Sequence, residues 1–193
     1  MSSSLKDYFH AEIIGGRAKP FSWRRVIQRA MRSKRCNYIF WFRIAYVLHR
    51  RKSRTLISLA KSINDRMVRR YGVEIMLGVQ IDEGLVLPHP IAIVVTKKAR
   101  IGKNVTILQN TTIGIDGKGD DGLTIGNNVW IGSHCCIIGT GLQIGSNVKI
   151  GAMSYVSQDI PDNTTFVTQK EGRLIARPAP GDRDEKALSE DED

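Results

Sequence analysis

One histidine in the chain has neighbours that restrict how its imidazole is presented. His89 stands between two prolines in the stretch LVLPHP, residues 85–90. A proline disfavours the helical conformation of the residue before it, so Pro90 predicts an extended backbone at His89. Imidazole has a pKa suited to removing a proton near neutral pH. We therefore interpret His89 as a candidate general base, and the alternative is a purely structural corner histidine.

Glu74 is the acid that could support this base, because it precedes His89 by fifteen residues. If it lies one coil below in a repeating structure, its carboxylate can accept a hydrogen bond from the far ring nitrogen and fix the tautomer. The alternative for Glu74 is a solvated charge at the rim of the fold.

A six-residue repeat is the element that positions these two residues. Aliphatic side chains recur at every sixth position after Tyr71, in four runs. The runs are Ile75, Ile81, Leu87 and Ile93; Ile101, Ile107 and Ile113; Ile125, Ile131 and Ile137; and Ile144, Ile150 and Val156. One inward aliphatic residue per short strand, with small residues at the corners, is the pattern of a parallel β-helix. The sequence therefore predicts a mainly β fold of this type.

Three insertions interrupt the repeat, and insertions in a β-helix leave the stack at its corners as loops. We place two extra residues near TKKAR before Ile101, six in GIDGKGDDGLT after Ile113, and one in GTGLQ before Ile144. Charged residues of the second loop are predicted to contact an acceptor or a neighbouring subunit, and the alternative is a solvated loop. These residues are Asp116, Lys118, Asp120 and Asp121.

The first 72 residues differ from the rest in charge and in pattern. They contain 18 lysines and arginines against 3 acids, whereas residues 73–193 contain 11 against 16. Helical spacing of apolar residues predicts helices within FSWRRVIQRAMRS, NYIFWFRIAYVLH and RTLISLAKSINDRMVRR, with Ser22 as a cap for the first. We divide the chain into a basic α-helical region (1–72), a β-helix domain (73–180) and an acidic, disordered tail (181–193).

The charge of the basic region suggests an acidic or membrane partner. No nucleic-acid-binding motif accompanies it, so we expect no nucleic acid as a partner. Residues 37–49 place Tyr38, Trp41, Phe42 and Tyr46 beside arginines. This composition is typical of an interfacial helix, which would hold the protein at the inner face of a membrane. The alternative is a helix that packs against the β-helix or another subunit.

The cysteines predict neither a metal site nor a disulfide framework. Cys36, Cys135 and Cys136 lack the spacing of either. We expect His134 and the two cysteines after it to fill strands, because alternation places neighbouring side chains on different faces. Neither a secretory signal nor an apolar span of membrane length is visible. We therefore expect a reducing, cytoplasmic setting.

Several stretches resemble the serine acetyltransferase branch of the hexapeptide-repeat acyltransferases. They are GVEI, LPHPIAIVV, IGKNVTILQNTTIGIDGKG, NNVWIG and NVKIGAMSYVSQDIPDNT. The stretch FRIAYVLHRRKSRTLISLAKSINDRM is similar to the end of that family's N-terminal domain, so the resemblance covers residues 37–178. It implies a left-handed β-helix, a homotrimer or a dimer of trimers, and direct transfer of an acetyl group from acetyl-CoA to a hydroxyl. Such a transfer needs no metal.

The resemblance also implies roles for individual residues. The family's catalytic histidine and its supporting acid match His89 and Glu74. Its glycine-rich turn matches Gly114 and Ile115, where a backbone N–H would face the thioester oxyanion. Three further positions are expected to bind the donor: Ala152 in the CoA channel, and Lys170 and Arg173 at the nucleotide phosphates.

Two departures from the family pattern concern the acceptor. The family's acid before the histidine, which helps to hold serine, is replaced by Pro88. The loop GKGDDGLTI is two residues shorter than its counterpart and lacks the family's second histidine. A site without its polar partners loses affinity steeply, so we expect a saccharide acceptor, such as a surface polysaccharide or its precursor. Serine O-acetylation and a non-catalytic β-helix scaffold are the alternatives.

Overall fold

Helices precede the β-structure in the computed structural model, which describes residues 3–16, 18–51 and 53–169. They are α1 (Leu5–Phe9), continued by a π-helical turn (His10–Ile14), α2 (Trp23–Arg32), α3 (Lys34–His49) and α4 (Arg54–Tyr71). The hydroxyls of Ser22 and Ser33 accept hydrogen bonds from the backbone N–H groups of Arg25 and Cys36, at 3.5 and 3.4 Å. The predicted cap at Ser22 is confirmed. The predicted tail (181–193) lies outside the described residues.

Helix α3 lies between α2 and α4 and packs against the β-structure. Tyr38, Phe42 and Tyr46 are buried, and Trp41 is partly exposed. The Tyr46 hydroxyl accepts a hydrogen bond from the backbone N–H of Ile81 at 3.2 Å. The structure therefore supports the packing interpretation of residues 37–49. None of the helices in the described ranges is long and apolar enough to cross a membrane.

Short strands follow α4 and form three parallel sheets. Sheet A contains β1 (Val73–Ile75), β3 (Ile93–Val95), β6 (Thr112–Gly114), β9 (Cys136–Ile138) and β12 (Tyr155–Val156). Sheet B contains β2 (Gln80–Ile81), β4 (Ala99–Ile101), β7 (Leu123–Ile125) and β10 (Gln143–Ile144). Sheet C contains β5 (Thr106–Ile107), β8 (Trp130–Ile131), β11 (Lys149–Ile150) and β13 (Thr165–Phe166). The chain visits the three sheets in turn, which confirms the predicted mainly β, parallel β-helix.

The strand register corrects one of the predicted insertions. Val95 pairs with Ile75, and Ile101 follows Val95 by the regular six residues. The two extra residues therefore lie between Leu87 and Val95, and the prediction that places them near TKKAR is wrong. Ile93 and Val95 are both buried, so hydropathy alone does not tell which of them holds the repeat position. The other two insertions fall where predicted, between β6 and β7 and between β9 and β10.

Asparagines form a ladder at the corner between sheets B and C. Its members have a left-handed backbone with a φ of 56° or 57°, which asparagine tolerates better than most residues. They are Asn104, Asn128, Asn147 and Asn163. The side-chain amide of each donates to the side-chain oxygen of the next, at 3.0 to 3.1 Å. This corner therefore repeats from coil to coil with its polar side chains satisfied.

A buried ion pair joins the helices to the first coil of the β-helix. Arg43 donates to the carboxylate of Glu12, with both side chains fully buried. The same carboxylate accepts from the backbone N–H groups of Gly84 and Leu85, each at 3.1 Å. Arg43 also donates to the backbone carbonyls of Ile81 and Asp82, at 3.0 and 2.7 Å. We call this pair the Glu12–Arg43 clamp, and it supplies the partners that buried backbone groups require.

Candidate active site

His89 lies on a corner that leaves the regular stack. This corner, residues 88–92, contains the two extra residues between Leu87 and β3. The His89 carbonyl accepts a hydrogen bond from the Ile91 N–H at 2.9 Å, and Ala92 has a left-handed φ of 50°. The turn presents His89 at the surface, where the residue is exposed. This placement suits a general base, and the role itself stays a prediction.

A cleft of about 620 Å³ opens beside His89. It is lined by residues 33–35 at the start of α3, residues 70–71 at the end of α4 and residues 88–91 of the corner. Lys34, Arg35 and Arg70 bring positive charge to the cleft, and no acid of the described chain lines it. We call it the His89 cleft.

Sequence reasoning missed the three cations of the His89 cleft. Each stands at or near the end of a predicted helix, and nothing else in the sequence indicates that these residues line a cleft. Which basic residues of the helical region reach the β-helix depends on packing between segments that are distant along the chain.

Glu74 lies on β1, one coil below His89, with its residue exposed on the outer face of sheet A. Its direct neighbour on the next strand is Val94. In the part of the chain that the structure describes, no hydrogen bond joins Glu74 to His89, and Glu74 does not line the His89 cleft. Glu74 thus lies one coil below His89, as expected, and the hydrogen bond to Glu74 that would support His89 stays a prediction.

The predicted oxyanion turn follows strand β6. Gly114 ends that strand, and its carbonyl accepts a hydrogen bond from the Gly139 N–H at 3.3 Å. A Cβ atom on Gly114 would stand 3.0 Å from Cδ1 of Ile138, so this position favours the absence of a side chain. Ile115 is partly buried against the core. The turn is thus held by packing as well as by the sheet.

Asp116 bonds within its own loop and to the corner of the next coil. Its carboxylate accepts from the Thr140 hydroxyl at 2.5 Å and from the Lys118 N–H at 3.2 Å. The bond from Thr140, and next the bond from Lys118, hold the pKa of the Asp116 carboxyl below its ordinary value. Asp116 and Lys118 line a second cleft of about 610 Å³, together with residues 138–142, 155 and 157–159. Asp120 lies outside this cleft and pairs with Lys98 at 3.2 Å, in solvent.

The predicted donor-binding residues fall in two places. Ala152 is exposed on the corner before β12, where its backbone lies close to Gly132 of the coil below. Lys170 and Arg173 lie outside the described residues.

The two edges of sheet A separate the predicted functional groups. Parallel strands enter a sheet at one edge and leave it at the other. His89 and Ala152 stand on corners that precede strands β3 and β12 of sheet A, whereas Gly114 and Asp116 stand where β6 ends. One copy of the chain therefore brings the predicted base and the predicted CoA-channel residue to one edge, and the oxyanion turn to the other.

His134 lies on a corner, so the prediction that it fills a strand is wrong, whereas Cys136 begins strand β9. His134 Nε2 lies 2.8 Å from Nδ2 of Asn110, at a corner with a φ of 59°. Cys135 is buried, its thiol donates to the Gly151 carbonyl at 3.1 Å, and burial raises the pKa of that thiol. No three histidine, cysteine or acidic side chains of the described ranges come together as metal ligands would.

Comparison with known proteins gives the relationships of the chain. No family model matches it. A serine acetyltransferase of Helicobacter pylori is 35% identical over 135 residues, which cover 67% of this chain and 74% of that protein. The structure of the Neisseria gonorrhoeae serine acetyltransferase in complex with serine matches with a TM-score of 0.61 and 34% identity, over 68% of this chain and 53% of that one.

A serine acetyltransferase in complex with CoA also matches, with a TM-score of 0.61 and 28% identity. The match covers 69% of this chain and 54% of that one. The chain thus spans about half the length of the two solved structures.

These relatives contradict the predicted saccharide acceptor, because they are serine acetyltransferases and one is solved with serine. The prediction depended on Pro88 and a shortened loop, which are absences. Such absences do not reveal groups that other segments supply, and the His89 cleft contains three cations from the helices. The predicted family resemblance and the predicted enzyme class, an acyltransferase that uses acetyl-CoA, are confirmed. The chain belongs to the serine acetyltransferase family of the hexapeptide-repeat acyltransferases, whose acyl donor is acetyl-CoA.

Proposed function

We propose that this protein transfers the acetyl group of acetyl-CoA to the side-chain hydroxyl of serine. The observation that carries the proposal is the position of His89, which is exposed in a cleft of about 620 Å³ on a corner outside the regular stack. The similarity to the Helicobacter and Neisseria enzymes supports serine as the acceptor.

The proposed reaction is a direct transfer with His89 as the general base. The imidazole removes the proton of the serine hydroxyl while the hydroxyl oxygen attacks the thioester carbonyl. Negative charge then develops on the carbonyl oxygen, and a backbone N–H at the turn of Gly114 and Ile115 would stabilise it. When the C–S bond breaks, the imidazolium returns its proton to the CoA thiolate. The acetyl group remains on the serine oxygen, and no covalent acyl-enzyme forms.

We infer that the working enzyme is a trimer. His89 and the Gly114 turn lie at opposite edges of sheet A, so a second copy must supply one of them to any single reaction site. The outer face of sheet A presents Val94 and Tyr155, which are 36% and 56% exposed. Thr112 and Cys136 lie between them in the same column, so the face is mixed in polarity and its exposed apolar side chains are available for contact with another subunit. A trimer built on these faces would place the entry edge of one copy beside the exit edge of the next.

Release of the CoA thiol tests the proposed reaction. The full chain is incubated with acetyl-CoA, with and without serine, and the product is identified by mass spectrometry. We expect thiol release that saturates with serine and yields O-acetylserine, and a His89→Asn variant that stays near the rate without acceptor. Thiol release that serine does not raise, in a preparation that acetylates another hydroxyl compound, would refute serine as the acceptor.

A further inference from the structure

The cations of the His89 cleft come from two helix ends that meet at the corner. Lys34 and Arg35 stand in the first turn of α3, and Arg70 stands in the last turn of α4. None of the three forms an ion pair with another described residue. The Arg70 guanidinium lies over the Tyr71 ring, 5.6 Å from its centre. A guanidinium held on an aromatic face keeps its N–H edge free to bind a planar anion.

A chain of hydrogen bonds fixes the two helix ends relative to each other. The Tyr71 hydroxyl donates to Oδ1 of Asn37 at 2.7 Å, and Nδ2 of Asn37 donates to the Ala30 carbonyl at 2.9 Å. The Tyr71 ring also packs edge-on against Tyr38, with 5.5 Å between the ring centres. Arg35 and Arg70 therefore approach the corner from elements whose spacing is fixed, so the site is preorganised.

The opposite face of the site comes from the β-helix. Gly72, the residue after Tyr71, is packed close to Ala92, because a Cβ atom on Gly72 would stand 3.9 Å from the Ala92 backbone nitrogen. The end of α4 thus lies directly beneath the corner that holds His89. An anion bound by Arg70 and Arg35 would lie next to the imidazole.

The charge of the cleft selects an anionic group. Lys34, Arg35 and Arg70 line it, and no carboxylate of the described chain does. Glu12, one of the three acids among the first 72 residues, is bonded to Arg43 and is fully buried. A carboxylate matches the planar donor edge of arginine and gains charge-assisted hydrogen bonds from it. A free ammonium group would find no carboxylate among the described residues that line the cleft.

We propose that Arg35 and Arg70, with Lys34 beside them, bind the carboxylate of the acceptor and thereby place its hydroxyl at His89. The inference rests on the proposed acetyl transfer and names the residues that recognise the acceptor. Pro88 stands directly before His89 and supplies no charge, so the charged groups beside the imidazole are those of the helices. The substrate class is a small hydroxy acid. An ammonium group such as that of serine is not recognised by the cleft.

A panel of acceptors tests this on the unmodified protein. The panel contains serine, serinamide, glycerate and ethanolamine, assayed by thiol release with acetyl-CoA. We expect serine and glycerate to be acetylated with kcat/KM values within tenfold of each other. We expect serinamide and ethanolamine, which lack a carboxylate, to lose at least tenfold. Serinamide used as well as serine would overturn the inference and leave serine acetylation intact. Glycerate used without serine would refute the proposed acceptor and support the inference, and no use of any acceptor would refute both.

Single variants then test the named residues. We expect Arg35→Met and Arg70→Met each to raise the KM for serine by about 10- to 100-fold, because each removes charge-assisted hydrogen bonds to the carboxylate. The KM for acetyl-CoA and the already weak use of serinamide should change less than twofold. Arg69→Met is the matched control, since Arg69 is exposed on the same helix and does not line the cleft. Equal serine KM values for Arg69→Met and Arg70→Met, in proteins with native melting temperatures, would overturn the assignment.

Discussion

The guanidinium of Arg43 and the carboxylate of Glu12 meet at 2.5 Å with no exposed side-chain surface. Between them they bond backbone groups at Ile81, Asp82, Gly84 and Leu85. The last of these residues begins the stretch that leads to His89. The basic helices are therefore attached to the β-helix at the coil that presents the candidate base.

Removal of one member of the Glu12–Arg43 clamp should strongly destabilise the folded protein. We expect Arg43→Met to lower the free energy of unfolding by about 3–5 kcal/mol, because the charge of Glu12 stays buried without its partner. Urea denaturation followed by circular dichroism measures this. Asp120→Asn is the control, because it breaks an exposed pair with Lys98 and should cost less than about 1 kcal/mol. An Arg43→Met protein as stable as the control would contradict the buried pair.

Replacement of His89 should affect chemistry and leave the fold intact. We expect His89→Asn to lower kcat for acetyl transfer by about 10²–10⁴-fold, which is the usual contribution of a general base. The residue is exposed on a corner, so the free energy of unfolding should change by less than about 0.5 kcal/mol. Steady-state kinetics and urea denaturation of the same preparation give both quantities. A loss of less than tenfold in kcat would rule out the role as base.

A charge placed on the outer face of sheet A should separate the subunits. We expect Val94→Glu to convert a trimer to monomers in light scattering after gel filtration, and to abolish acetyl transfer with it. The reason is that Val94 is an exposed apolar residue of this face, between Glu74 on β1 and Thr112 on β6. Arg100→Glu is the control, since Arg100 is exposed on sheet B. A monomeric wild-type protein with full activity would refute the trimer.

The carboxyl of Asp116 should titrate below the ordinary range for aspartate. The hydroxyl of Thr140 and the N–H of Lys118 lower its pKa by hydrogen bonding to the charged form. Since the folded pKa is the lower one, the stabilising contribution is present above the unfolded pKa and is lost as the pH falls through the folded pKa.

An NMR titration of the Asp116 side-chain carbon, in wild type and in Thr140→Val, measures this shift. We expect the variant to raise the pKa of Asp116 toward its ordinary value, because the bond from Thr140 is the larger cause. An unchanged titration in Thr140→Val would show that the bond does not form in solution.

The fold could be predicted from the sequence because each strand of the β-helix contributes a buried aliphatic residue, and these residues recur at every sixth position. The exception is the strand after the corner 88–92. Ile93 and Val95 both fit the six-residue spacing there, and only the pairing of Val95 with Ile75 shows which of them holds the repeat position. The helices were predictable from apolar spacing, but not which of their faces pack. In α2, Val26 is buried whereas Met31 is 75% exposed, although both are apolar residues of the predicted helix FSWRRVIQRAMRS.

The candidate site was predictable only in part. His89 could be found because its prolines and its neighbours mark it locally. Arg35 and Arg70 could not, since they reach His89 through contacts between segments far apart in sequence. The acceptor was predicted wrongly for the same reason. Pro88 shows only that the acid expected before His89 is missing, and the sequence does not show that cations of the helices line the cleft.

The asparagine ladder implies that the stack could be extended at its far end without a new kind of corner. Each rung, from Asn104 to Asn163, presents the same backbone and the same amide to its neighbour. In such an array each unit contacts only the adjacent ones. Duplication of a coil after Asn163 would therefore lengthen the far end of the molecule and leave His89, Gly114 and Ala152 in their present coils.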